Sequence, residues 1–212
     1  MIIGIRRENK NEWEKRTPLI PEDIKSLIEK YGLRAFVQPS KIRVFNDDEY
    51  NAAGAEIDED LNLADLIFGV KEVPAQLILE NKTYVYFSHV IKGQTNNMKM
   101  LRTLMDKKCN LIDYERIIDE NDKRLIFFGR FAGKAGIIEL LHALSEKLDL
   151  NGICTPLKKL KQPFQYRSIQ EAKEEIKKIG DEIKVNGFPE QVANCSWICR
   201  LWKCFSRRTR YF

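Results

Sequence analysis

Three cationic side chains stand where acid–base chemistry or anion binding needs them. Lys71 directly follows the apolar run Leu66–Val70, and His89 follows Thr83–Phe87 by way of Ser88. Ligands of open parallel sheets bind beyond the carboxyl ends of the strands. A lysine and a histidine at two such ends are therefore candidates for moving a proton at an amine or carbonyl carbon. Lys71, fenced by Pro74, suits an acid–base group or a carboxylate anchor. Histidine is the side chain whose charge changes near neutral pH. Arg16 lies in the polar loop before Thr17-Pro18, where its planar fork could clamp a carboxylate. Each position also has an ordinary reading: an edge lysine in solvent, a histidine that hydrogen-bonds structurally, a solvated loop arginine. His142, on a long helical segment, reads as structural or exposed.

Other chemistries find little support. Two His and scattered Cys offer no metal-ligand spacing, and neither a phosphate-binding loop nor a Ser-centred nucleophile elbow occurs. Apolar residues make up 43% of the 212 positions and charged residues 32%, the balance of an ordinary globular protein. No apolar run approaches the roughly 20 residues that span a bilayer. No leader-like segment precedes the first strand, and Cys109 and Cys154 read as reduced thiols, so a cytoplasmic protein is expected. The net charge of +5 is not a nucleic-acid signature. Arg200, Lys203, Arg207, Arg208 and Arg210 fall in the final 19 residues, and residues 1–193 are formally neutral without them.

Positioning these groups requires a sheet. Apolar runs at Ile2–Ile5, Ala35–Val37, Leu66–Val70, Thr83–Phe87, Leu111–Ile112 and Leu125–Phe128 predict strands. Helices are predicted from Pro21 to the closing Gly32, over Asp47–Ala53 and over Asn96–Lys107. Two more follow, Gly133–Leu150 and Ile169–Ile179. Strands that alternate with helices predict an α/β fold, a mostly parallel sheet with helices on both faces.

Several short motifs resemble one family. They are Arg6-Arg7-Glu8, Trp13-Glu14-Lys15-Arg16-Thr17-Pro18-Leu19, Val37-Gln38-Pro39-Ser40 and Gly69-Val70-Lys71-Glu72. Thr83-Tyr84, Phe87-Ser88-His89, Leu111-Ile112-Asp113-Tyr114-Glu115, Phe128-Gly129, Ala132-Gly133 and Ala135-Gly136 continue the likeness over roughly residues 2–160. Together they resemble the N-terminal substrate domain of the alanine dehydrogenase and saccharopine dehydrogenase family. Within that family they are most similar to the lysine–2-oxoglutarate reductase part of aminoadipic semialdehyde synthase. The resemblance implies a Rossmann-like substrate domain over residues 1–132. A connecting helix and the start of a truncated nucleotide-binding domain would occupy 133–192. It implies reductive amination of a 2-oxo acid by an amino acid, with NAD or NADP as hydride donor in the complete family enzyme. Carried over by position, Arg16 would hold a substrate carboxylate, and Lys71 and His89 would form the acid–base pair. An alanine dehydrogenase-type domain or a stand-alone small-acid-binding or regulatory module are the alternatives.

Residues 193–212 break the pattern. The family places a Gly-rich dinucleotide loop here, yet Asn194–Phe212 contains no glycine. The genetic code suggests why. Trp has the single codon TGG, and the Ile198 and Lys203 codons begin with A. Reading from the second base therefore forces glycine at positions 197 and 202, and the intervening codons permit Gly-Phe-Ala-Gly-Tyr-Gly-Asn-Val-Ser. Residues 193–212 are thus expected to be an aberrant basic tail from a shifted reading frame. No cofactor is then expected to bind tightly, and the chain alone is expected to be inactive. The uncovered helix 133–150 would favour self-association. The alternative is a real basic extension that binds anionic lipid or nucleic acid in a salt-sensitive way. Sequencing the gene downstream of codon 192 should show the Gly-rich loop and a following helix in the shifted frame; their absence would remove the idea.

Overall fold

The computed structural model describes residues 1–93 and 95–189; the expected tail at 193–212 lies outside them. The chain divides into two compact units, Met1–Phe127 and Phe128 onward. In the first, six strands form one entirely parallel sheet: β1 Ile2–Ile5, β2 Arg34–Val37, β3 Glu56–Ile57, β4 Leu66–Phe68, β5 Thr83–Tyr86 and β6 Asn110–Asp113. Their spatial order is β3-β2-β1-β4-β5-β6, so the order reverses between β1 and β4. Ile5 stands in register with Val37 on one side and Phe68 on the other, and Phe68 with Val85.

Period-two alternation decides what each side buries. Ile3, Ile5, Ala35 and Val37 point to one face, where they meet Ile24 of α1 (Pro21–Tyr31) and Tyr50 of α2 (Asp47–Ala52). Phe36, Ile67, Tyr84 and Tyr86 point to the other, against Met100 and Leu104 of α3 (Thr95–Asp106). Helices therefore cover both faces, as the strand–helix alternation predicts. Helix α1 starts as its sequence directs. Pro21 fills the first helical position, and the Asp23 carboxylate accepts the Ile20 amide at 3.1 Å. It stops at Gly32, whose φ of 62° only glycine adopts without cost and whose N–H reaches the Ile28 carbonyl at 2.9 Å.

One expected strand is absent. Leu125–Phe128 does not join the sheet. The Asp119 carboxylate accepts the Asn121 and Lys123 amides, which turns the chain back on itself. Leu125 then bonds only the Ile117 carbonyl, beside a lone antiparallel bridge between Ile118 and Arg124. Leu125 and Phe127 stay exposed. The two-residue β3 carries too few apolar positions to register as a strand in the sequence.

In the second unit α4 begins four residues earlier than expected, at Gly129, and runs to Leu150. Helix α5 continues past Ile179 to Asn186. Ile138 and Leu141 of α4 bury against Leu157 and Leu160 and against Ala172, Ile176 and Ile179 of α5. The α4 face that was expected to be uncovered is thus partly covered, although Phe131 and Leu140 remain exposed. His142 is structural here: its Nδ1 lies 2.9 Å from the Leu160 carbonyl and its Nε2 is 3.5 Å from Glu146. No helix among the described residues is long and apolar enough to cross a membrane.

Ile5 is wholly buried at the centre of the sheet, so Ile5→Ala should lower unfolding stability by about 2–5 kcal/mol. Gly32 has open space around its missing Cβ, so Gly32→Ala should cost only the backbone penalty of about 1 kcal/mol. Urea denaturation followed by circular dichroism measures both.

Candidate functional site

The strand-order reversal opens a crevice between the chain leaving β1 and the chain leaving β4, the usual place for a ligand in such sheets. Lys71 leaves from β4 and His89 from β5. The Phe87 amide donates to the Val70 carbonyl at 3.2 Å, which ties the two strand ends together just before both residues. Glu72 then bridges them to the β1 loop. One carboxylate oxygen stands 3.6 Å from His89 Nδ1, and the other pairs with the Lys10 ammonium. Burial raises the Glu72 carboxyl, but Lys10 and the nearby His89 outweigh it and hold the group below the ordinary carboxylate range.

His89 itself is held in an uncommon shape. Its φ is 54°, a left-handed backbone that non-glycine residues adopt at a cost of about 1 kcal/mol or more. The preceding Ser88 is fully buried and its hydroxyl donates to the Asp113 carboxylate of β6. Asn97 of α3 donates to the Ser88 carbonyl at 2.9 Å, and the imidazole stacks beside Phe87 at 6.3 Å.

Arg16 reaches the same edge from the loop after β1. That loop is tied down by buried Tyr50, whose hydroxyl donates to the Leu19 carbonyl at 2.6 Å and lies 2.8 Å from the Thr17 hydroxyl. The guanidinium makes a two-pronged contact with Glu14, Nε at 2.6 Å and Nη2 at 2.5 Å. Burial works against the Glu14 carboxylate, yet the Arg16 bonds and the charge of Lys71 hold it below its ordinary value. Glu14 in turn raises Arg16, with Glu8 adding to the effect. Arg16, Lys71 and Glu14 thus share one electrostatic neighbourhood, and Lys10, Glu72 and His89 form another.

Glu8 lies beneath this edge. Its side chain is 3% exposed, and its two oxygens accept the Val70 and Lys71 amides at 2.7 and 3.1 Å. Burial pushes its carboxyl up against the opposing pull of those amides and of Arg6. A hollow of about 430 Å³ opens just past His89, walled by Val90, Ile91 and Ile117 with Arg116 at its side. A second cavity of about 440 Å³ lies toward the α3 face, between Arg7, Asn9 and Gln76.

The carboxylates Glu8, Glu14 and Glu72 are what the reading for cationic groups missed. Each belongs to a quoted motif, and Glu72 adjoins Lys71 in the chain, but nothing in the spacing says which cation each one holds. Among the described residues no group of three or more His, Cys, Asp or Glu could hold a metal ion. Two glycines of the quoted motifs do not form a pyrophosphate-binding turn. Gly133 and Gly136 lie inside α4 rather than in a turn between strand and helix, and nothing packs against the space where their Cβ atoms would be.

Comparison with known proteins agrees with this architecture. The chain is 37% identical over 197 residues to the mitochondrial alpha-aminoadipic semialdehyde synthase of Mus musculus, covering 93% of this chain and 21% of that one. It is 30% identical over 139 residues to the saccharopine dehydrogenase [NAD(+), L-lysine-forming] of Yarrowia lipolytica, covering 63% and 37%. This chain therefore spans about a fifth of the first relative's length and just over a third of the second's. A solved L-alanine dehydrogenase shares the fold, with a TM-score of 0.58, 22% identity and coverage of 69% of this chain and 42% of that one. Residues 4–135 match the family model described as alanine dehydrogenase/PNT, N-terminal domain. This match over more than half of the chain leads to one conclusion: the chain belongs to the alanine dehydrogenase/PNT family.

Proposed function

We propose that the first unit is the substrate half of an amino-acid dehydrogenase of the saccharopine type. Such an enzyme condenses an amine with a 2-oxo acid such as 2-oxoglutarate and reduces the product. The observation that supports this reading is that Lys71 and His89 follow the adjoining ends of β4 and β5, with Glu72 3.6 Å from His89 and the charge of Lys71 acting on Glu14, which holds Arg16.

In this reading Arg16 grips the oxo-acid carboxylate, oriented by its contact with Glu14. The amine nitrogen attacks the carbonyl carbon, and Lys71 or His89 supplies the proton that the developing alkoxide takes up. A second proton lets the hydroxyl leave as water, and the nitrogen gives up both of its protons to the site bases, one as the carbinolamine forms and one as the imine forms. Glu72 places a carboxylate 3.6 Å from His89 Nδ1 and so orients the imidazole. The apolar hollow past His89 suits the aliphatic part of an amino-acid substrate. The name of the Yarrowia relative points to NAD, and a nicotinamide cofactor supplies the reducing hydride in the complete family enzyme.

Calorimetric or NMR titration of the full chain with 2-oxoglutarate and pyruvate tests the reading. Arg16→Ala should weaken binding of the preferred acid by about tenfold or more, the loss expected for a charge-assisted carboxylate contact. Lys71→Ala should weaken it as well. Wild-type affinity in both variants would overturn the proposal.

The pKa directions of this site also set an acid limit. Glu14 and Glu72 have folded values below their unfolded ones, so their stabilisation is present above about pH 4.5 and is lost as pH falls through the lower folded values. Glu8, raised by burial, acts with the opposite sign. Glu14→Gln should therefore show a shallower stability loss below pH 4.5 than wild type in urea titrations at stepped pH. An unchanged slope would contradict the assignment.

A further inference from the structure

Two motif stretches some sixty residues apart meet beneath the candidate site. Arg6 and Glu8 come from the end of β1, and Gly69, Val70 and Lys71 from the end of β4. The last backbone bond between the two strands runs from the Arg6 amide to the Phe68 carbonyl at 3.0 Å. Beyond it the chain after β1 turns away, and Glu8 takes over as acceptor. One oxygen receives the Val70 amide at 2.7 Å and the other the Lys71 amide at 3.1 Å. The Val70 carbonyl is taken from the other side by the Phe87 amide. The peptide that carries Lys71 is therefore held from both neighbouring strands, once by backbone and once by a side chain.

A carboxylate suits this task. It offers two acceptor oxygens at fixed separation to two successive amides, whereas Gln offers one oxygen and Asp is a methylene shorter. Arg6, 6% exposed, lies alongside, with its Nη1 3.7 Å from Glu8 and its Nη2 donating to Asn9 at 2.7 Å. The absence of a side chain at position 69 makes room for the pair. A Cβ there would sit 3.1 Å from Arg6 Cδ, 3.2 Å from Arg6 Cγ and 3.4 Å from the Glu8 carboxylate. A buried carboxylate and guanidinium are a costly way to end a strand pair if stability were the only result.

We propose that Glu8 is a positioning residue: it fixes the Val70–Lys71 peptide so that the Lys71 side chain leaves the sheet in one direction, toward the bound oxo acid. Gly69 admits the Arg6–Glu8 pair that does this. The role rests on the substrate reading above, because it acts through Lys71.

The test uses the full chain, amide hydrogen exchange and 2-oxoglutarate titration. In wild type the Val70 and Lys71 amides should be protected, and unprotected amides would overturn the proposal even if no variant folds. In Glu8→Gln at least one of the two should exchange about tenfold or more faster, and 2-oxoglutarate should bind about tenfold more weakly. Placed on Lys71→Ala, the same substitution should change binding less than twofold, because the group it aims is gone. An equal weakening with and without Lys71 would make Glu8 merely structural and overturn the role. Wild type that binds neither 2-oxoglutarate nor pyruvate, with both amides protected, would instead show that the substrate reading has failed and the role with it.

Discussion

A reversal of strand order in a parallel sheet leaves two chain ends diverging over one crevice, and this divergence governs the rest of the structure. After β1 the chain crosses to α1 on one face; after β4 it passes on through Val73 and Ile78, which pack on the other. Backbone pairing stops where the two part, so the amides of Val70 and Lys71 lose their natural acceptors. Side chains must satisfy them or water will. The same gap therefore demands buried polar groups, and the structure meets that demand with a carboxylate.

Charge in this crevice is arranged as cations held by acids. Arg16 is gripped by Glu14, Lys10 by Glu72, and Glu72 stands beside His89. None of the carboxylates is fully solvated, and burial acts against the ionised form of each. For Glu14 and Glu72 the neighbouring cations prevail, whereas for Glu8 burial does. That difference separates their parts. Glu14 and Glu72 are electrostatic partners of cations at the crevice, while Glu8 lies under it and bonds mainly to backbone.

Much of this fold is legible in the sequence because local rules and tertiary demands agree. The Pro21 start and Gly32 stop of α1 follow from dihedral preference alone. The apolar runs at β1, β2, β4 and β5 are long enough to bury both faces, and a parallel sheet requires that. Leu125–Phe128 shows where such reading fails. Its composition suits a strand, but the Asp119 turn keeps it from the sheet, and hydrophobicity carries no information about whether a neighbouring edge lies within reach. The family likeness selected Arg16, Lys71 and His89 from their motifs; the acids that hold them belong to the same motifs, yet their partners lie up to 63 positions away.

The order of residues along the chain thus determined the α/β class, the limits of most helices and the cationic groups at the strand ends, since these depend on spacing and residue type within a few positions. Only the tertiary structure decided that Glu8 bonds the peptide of Lys71, that Glu72 stands between Lys10 and His89, and that His89 takes a left-handed backbone. Those facts depend on which strand ends adjoin and how far their loops diverge. Strand neighbours are set by the packing of the whole sheet, a property that no local stretch of residues contains.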